Sequence, residues 1–271
     1  PITINGNGFT IDAKGKSRIF YVTAGSINIT DVTLKNGKAD YGGAIYFVNE
    51  ISNSNINATY INNTAEWYGG ANFFCWIVSG SNVSGTYTNN TATNHGGANY
   101  FWYRVSGSNI SGTYTNNNAT YGGGANYFYS VSGSNITGTY TNNKANGQSE
   151  YDGGGANTFR NSVSGSTITG TYTNNKAEFL GGANYFYSGV SGSNVGGIYI
   201  NNTASDSAII YFLDKWSDGL NAEISNAIFL NNNCTYEIFA DKTGVVVKDC
   251  WFGNNASNFM NKPNVNENIQ I

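Results

Sequence analysis

The triplet Gly-Gly-Ala recurs at Gly42-Gly43-Ala44, Gly69-Gly70-Ala71, Gly96-Gly97-Ala98, Gly123-Gly124-Ala125, Gly154-Gly155-Ala156 and Gly181-Gly182-Ala183. Successive alanines lie 27, 27, 27, 31 and 27 residues apart, and the long interval carries an insertion near 147–152. A unit of this length cannot bury a core by itself. It must stack on copies of itself, so the repeat predicts one elongated domain rather than a compact one.

Composition narrows what the stack presents. Charged residues make up only 11 % of the 271, the net charge is −3, and no basic run occurs. Nucleic-acid binding needs clustered Lys and Arg, so that class of partner is not expected. Aromatic residues at 15 % recur in fixed register, which argues for packing rather than disorder. No apolar run approaches the ~20 residues of a membrane helix, so this segment is not expected to insert. Cys75, Cys234 and Cys250 show neither zinc spacing nor disulfide density and read as small apolar fillers.

Residues 96–121 show one unit. Turn residues separate three short runs, ANYFWY, SNISG and GTYTN, none with helical periodicity. The expected fold is all-β: a single-stranded right-handed parallel β-helix of about nine rungs, three short strands per rung, spaced by about 4.8 Å. The coil is expected over 15–257. Residues 1–14 read as an N-terminal cap or joint and 258–271 as a C-terminal cap or linker.

Rung-to-rung comparison suggests which side chains point inward. The first position after Ala reads Ile45, Asn72, Asn99, Asn126, Asn157, Asn184, and the third reads Phe47, Phe74, Phe101, Phe128, Phe159, Phe186. Such uniformity fits buried ladders. Ile56 and Tyr60 with their equivalents read as inward too, and so do Asn62, Asn89, Asn116, Asn142, Asn174 and Asn201. Positions two and four then face out and form an aromatic strip that includes Tyr100, Trp102, Tyr127, Tyr129, Tyr185 and Tyr187, with Arg104 nearby. The opposite parity, rings inside, stays open at this point.

GGA followed by an apolar residue, with [F/Y/L]-x-N about 16 residues later, resembles the repeats of the polymorphic membrane proteins of Chlamydia. ITINGNGFTIDAKGKSRIFYV, ITDVTLKNGKADYGGAIYF at 29–47 and the recurring YxNNxA resemble more closely the adhesin-like proteins of methanogenic archaea. The resemblance covers about residues 2–257. The chain departs from that pattern by placing Asn after GGA in five rungs and Tyr where Phe is commoner. The resemblance implies an extracellular, cell-surface or cell-wall-associated β-helix, part of a longer anchored protein, that acts in adhesion. It carries no catalytic residues to transfer.

Parallel β-helices also house polysaccharide-active, pectate-lyase-like enzymes, which need paired carboxylates. The best pair is Asp40 with Glu66, but no basic residue aligns beside it, so no catalytic residue, metal site or cofactor is expected. His95, the only histidine, reads as a polar turn residue. Among the Asn-x-Ser/Thr sequons, Asn57 and Asn118 are the glycosylation candidates, because Asn62, Asn89 and Asn201 belong to the expected inward ladder. Paired Thr86/Thr88, Thr113/Thr115, Thr139/Thr141 and Thr171/Thr173 suggest an ice-binding or purely structural face as a rival. The leading expectation is a non-enzymatic adhesin-like module. Its aromatic strip contacts a surface glycan or protein of another cell, or a second copy of itself.

Overall fold

The computed structural model describes residues 2–205, 207–215 and 220–253, together with the backbone of the strands Met260–Asn261 and Val265–Glu267. The described residues contain strands and turns and no helix. All pairings are parallel, and equivalent residues of successive units stand opposite each other: Asn72 on Ile45, Asn99 on Asn72, Asn126 on Asn99. The chain is a parallel β-helix of about nine rungs.

Each rung has three sides, but not the three that the turn signals suggest. The first holds strands such as Asn72–Phe74 and, past a bend, Val78–Ser79. The expected second and third runs form one side: Asn82–Thr88 is continuous, while the next rung breaks at Gly112 into Asn109–Ile110 and Thr113–Thr115. The remaining side is short. Thr91–Ala92, Asn118–Ala119 and Lys144–Ala145 belong to a separate seven-stranded sheet, which starts at Lys38–Tyr41 and ends at Thr203–Ala204. Asn-Asn-Thr-Ala reads as a turn in one dimension, yet its alanine is fully buried core.

The Gly-Gly pair is required for two separate reasons. The first glycine adopts left-handed φ, +68° at Gly96, which a side chain disfavours. The second has no room: a Cβ on Gly97 would lie 2.1 Å from the carbonyl oxygen of Gly124 and 2.6 Å from the amide nitrogen of Asn118. The short side therefore approaches the first side backbone to backbone.

The inward parity of positions one and three holds. Asn72 donates from Nδ2 to Asn99 Oδ1 at 3.0 Å, and the chain of bonds runs on through Asn126 and Asn157 to Asn184, which donates to the Tyr199 hydroxyl. The ladder opens with an unpartnered Asn72 Oδ1, because Ile45 stands on the preceding rung. Phe47, Phe74, Phe101 and Phe128 stack 4.5–4.8 Å apart, and Tyr60, Tyr87, Tyr114 and Tyr140 stack at 4.7–4.8 Å. Ile56, Val83, Ile110, Ile136, Ile168 and Val195 are buried as expected.

The second expected Asn ladder is off by one residue. Asn62, Asn89, Asn116, Asn142, Asn174 and Asn201 are exposed and take φ of 55–56°. The buried ladder is the next residue of each rung: Asn63, Asn90, Asn117, Asn143, Asn175 and Asn202. Strand alternation predicts facing only while the backbone stays extended, and one left-handed residue at the corner shifts it.

Residues 1–14, expected as a cap or joint, pair with the coil: Ile2–Asn5 stands on Ile27–Thr30 and Thr10–Asp12 on Thr33–Lys35. The expected C-terminal cap, 258–271, lies outside the described residues apart from two short strands, which pair with Ile238–Phe239 and Val246–Lys248.

Candidate functional site: an outer aromatic layer

The rings of positions two and four do stand outside the coil, in two clusters separate from the main core. Pointing outward did not leave them exposed. Tyr100 and Tyr127 retain 3 % and 4 % exposure, Tyr185 none and Tyr187 1 %. These four are therefore not the open strip that alternation predicted. Trp102, Tyr129 and Arg104 are exposed as expected.

Two devices cover the buried rings. Over Tyr100 and Tyr127 the cover comes from the residues preceding Gly-Gly. Tyr68 lies 4.7 Å from Tyr100 between ring centroids, and His95 lies 4.6 Å from Tyr127. Tyr68 and His95 stack on each other at 5.8 Å with planes 2° apart. Phe73, Tyr100 and Tyr127 themselves stack at 5.5 and 4.8 Å, which makes a second small core outside the first. Burial pushes the Tyr100 and Tyr127 phenols up, so both stay neutral.

Over Tyr185 and Tyr187 the cover is the insertion. The Tyr185 hydroxyl donates to the Glu150 carbonyl oxygen, and Glu150 forms a 2.6 Å ion pair with Lys215. Asp152, itself buried, accepts from the Ser149 hydroxyl at 2.6 Å and folds the insertion. Arg160 sits 3.7 Å above the Tyr187 ring and 5.4 Å from Tyr151, a cation–π sandwich that closes the cluster.

His95 is thus a half-buried ring of the covering layer, not a free polar turn residue. Its Nδ1 accepts the Gly122 amide at 3.1 Å. Burial, with the Arg160 charge adding, holds its imidazole down at about 4.

What remains open is an edge of rings on three adjacent rungs. Trp76, Trp102, Tyr103 and Tyr129 are 53, 46, 44 and 39 % exposed. Trp76 lies 5.8 Å from Tyr103, and Trp102 lies 6.5 Å from Tyr129. The pairing register shifts between Phe101 and Arg104, so Trp102 and Tyr103 bulge out of the ladder and both reach solvent. Trp67 and Tyr121 add exposed rings on the short-side corner. Sequence reasoning missed Trp76, Tyr103, Trp67 and Tyr121. The available signal was Trp or Tyr at positions where other rungs vary freely.

The other candidates fall as follows. Asp40 and Glu66 are both exposed, on neighbouring strands of the short side. Among the described residues no group of three or more His, Cys, Asp or Glu could hold a metal ion, and no helix is long and apolar enough to cross a membrane. Asn57 is exposed, whereas Asn118 is half-buried in a strand and its Oδ1 accepts from Asn146 at 2.9 Å. The exposed corner sequons are Asn62, Asn89 and Asn201, the ones expected to be inside. All three cysteines are free; Cys250 is buried, while Cys75 and Cys234 are only partly so. Comparison with protein-family models, with curated proteins and with solved structures gives no match.

Proposed function

We propose that this chain is a non-enzymatic, extracellular, cell-surface module that attaches to a glycan of another cell through the ring edge of Trp76, Trp102, Tyr103 and Tyr129. The observation that carries this reading is the exposure of four large rings on adjacent rungs of a rigid frame. A concentrated exposed aromatic surface is a contact site more often than an accident. Ring faces pack on the apolar faces of sugars, while Tyr hydroxyls and Arg104 reach sugar hydroxyls. The adhesin resemblance of the repeats and the extracellular placement it implies point the same way.

The test is adherence to glycan arrays and to whole cells by the native protein and by a Trp102→Ala/Tyr129→Ala variant. Both residues are exposed and lie outside the main core, and circular dichroism checks that the variant is folded before adherence is read. Loss of adherence supports the reading, and undiminished adherence of the folded variant removes it. The non-enzymatic part fails if any polysaccharide is turned over and turnover stops on Asp40→Asn or Glu66→Gln.

A second reading attaches to the long side. Thr86, Thr113, Thr139 and Thr171 stand in register, as do Thr88, Thr115, Thr141 and Thr173. A straight, uncharged hydroxyl-and-methyl array of this kind suits an ordered water lattice. Thermal hysteresis that disappears on Thr113→Lys would favour it over the glycan reading.

A further inference from the structure

The outer aromatic layer has a gap, and one side chain makes it. The position-four column reads Val48, Cys75, Trp102, Tyr129, Arg160, Tyr187. Cys75 is the smallest of these, and beside it a cavity of about 260 Å³ opens, lined by Tyr41, Tyr46, Tyr68, Phe73, Cys75 and Trp102. Tyr46 and Trp102 belong to the rungs on either side. Phe73 is buried beneath and meets Tyr46 edge-on at 5.1 Å and Tyr41 at 5.2 Å. Tyr68 joins Tyr41 at 5.9 Å to Trp102 at 6.0 Å. Tyr41, Tyr46, Tyr68 and Cys75 are all partly exposed, so the space opens to solvent.

The lining selects a ligand class. Five rings and a thiol surround the space, with no carboxylate, carboxamide or guanidinium among them. The three Tyr hydroxyls and the Trp102 indole N–H could pair only some of a sugar's hydroxyls, and the ring faces would leave the rest unpaired. An ammonium whose protons are replaced by methyl groups asks for no hydrogen bonds and is attracted by ring faces. Burial, with the adjoining Cys75 thiol adding, pushes the Tyr46 hydroxyl up to about 12, so this residue presents a neutral ring. Exposed Asp40 precedes Tyr41, and exposed Glu66 lies on the strand that ends in Tyr68. The Asp40 charge offsets that of Arg18. The like charge nearby is Arg18, 5.1 Å from the Tyr46 ring, held by the carbonyls of Tyr41 and Gly42 and outside the lining. Its place on Tyr46 shows that this ring already accepts a cation.

We propose that the cavity beside Cys75 is an aromatic cage for a methylated ammonium group, such as a choline or trimethyl-lysine head. This goes beyond the glycan reading and does not depend on it, although Trp102 borders both sites.

The test is calorimetric titration with choline and with its neutral tert-butyl isostere. Choline is expected to bind about ten-fold tighter than the isostere, the size of a partly desolvated cation–π contribution. Cys75→Tyr places in the gap the ring that other rungs carry and is expected to abolish binding. If Cys75→Tyr does not fold, Tyr46→Leu serves instead and is expected to erase the preference for choline. Equal affinity for choline and isostere, absence of choline binding to the native protein, or full binding by folded Cys75→Tyr would each overturn the proposal. Glycan adherence measured on Cys75→Tyr keeps the two sites apart, because that variant retains the exposed Trp102–Tyr129 edge.

Discussion

Asn90 and Asn117 share one oxygen: Asn117 Oδ1 accepts both the Asn90 amide and the Asn90 Nδ2 proton, each at 3.0 Å. Asn117 Nδ2 in turn donates to Asn143 Oδ1 and to the Tyr87 carbonyl oxygen. Every polar atom of the buried carboxamide is satisfied by a neighbouring rung, and the pattern repeats from Asn63 to Asn202. Identical residues one rung apart are the only ones that close such a series.

Asn117→Leu is therefore expected to be severely destabilising despite similar volume. It strands the Asn90 amide and one Asn90 Nδ2 proton and removes the side-chain donor to the Tyr87 carbonyl, while Asn143 Oδ1 keeps the Asn117 backbone amide. The cost is about 1–3 kcal/mol for each buried group left unpaired. The adjacent Asn116→Ala acts on an exposed left-handed residue and should cost only about 1 kcal/mol. Urea unfolding of the two variants measures the contrast, and equal midpoints would contradict the ladder.

The second glycine of the motif is predicted to be irreplaceable. Gly97→Ala drives its Cβ onto the Gly124 carbonyl oxygen, and backbone on both sides cannot yield without opening the stack. The cost should exceed about 3 kcal/mol, at the upper end of overpacking penalties. Gly107→Ala has the same type of change in open space and carries only the left-handed φ penalty of about 1 kcal/mol. Thermal unfolding separates them.

Stability should fall on mild acidification through His95. Its folded value, about 4, lies below the ordinary 6.5, so the unfolded chain takes up the proton first. The neutral-ring contribution is complete above pH 6.5 and is lost as pH falls from 6.5 towards 4. His95→Tyr, which restores the ring found at Tyr68, should flatten this segment of the stability–pH curve. An unchanged slope would show that His95 titrates alike in both states. Proton NMR of the imidazole gives the folded value directly.

Arg160 is expected to act as a clamp on the insertion. Arg160→Ala removes the cation from the Tyr187 and Tyr151 faces and should destabilise the fold by about 1–2 kcal/mol. Faster hydrogen exchange confined to 148–152 would accompany it. Exchange unchanged at those amides would mean that Tyr185 and Lys215 hold the insertion without it.

The recurrence of Gly-Gly-Ala, Phe and Tyr determined the stack, its register and most of its interior, because parallel in-register rungs place like residues on like residues and only a repeat can satisfy that. It also determined that the second- and fourth-position rings share one side of the strand and the Asn and Phe positions the other, since alternation along an extended strand is local. Alternation leaves open which side faces inward, and the structure put Asn and Phe inside. Three further things were settled in three dimensions. The left-handed corner moved the second Asn ladder from Asn62 to Asn63, a backbone choice that hydrophobic pattern does not encode. The short side was paired as sheet because Ala65 and Ala92 find a core only when the coil closes. The covering of Tyr100 by Tyr68, and of Tyr187 by Arg160 and Tyr151, depends on where side chains from other rungs come to rest. Direction is a property of one strand and can be read along it. Exposure is a property of everything that lands on top, and that is why the open edge shrank to Trp76, Trp102, Tyr103 and Tyr129.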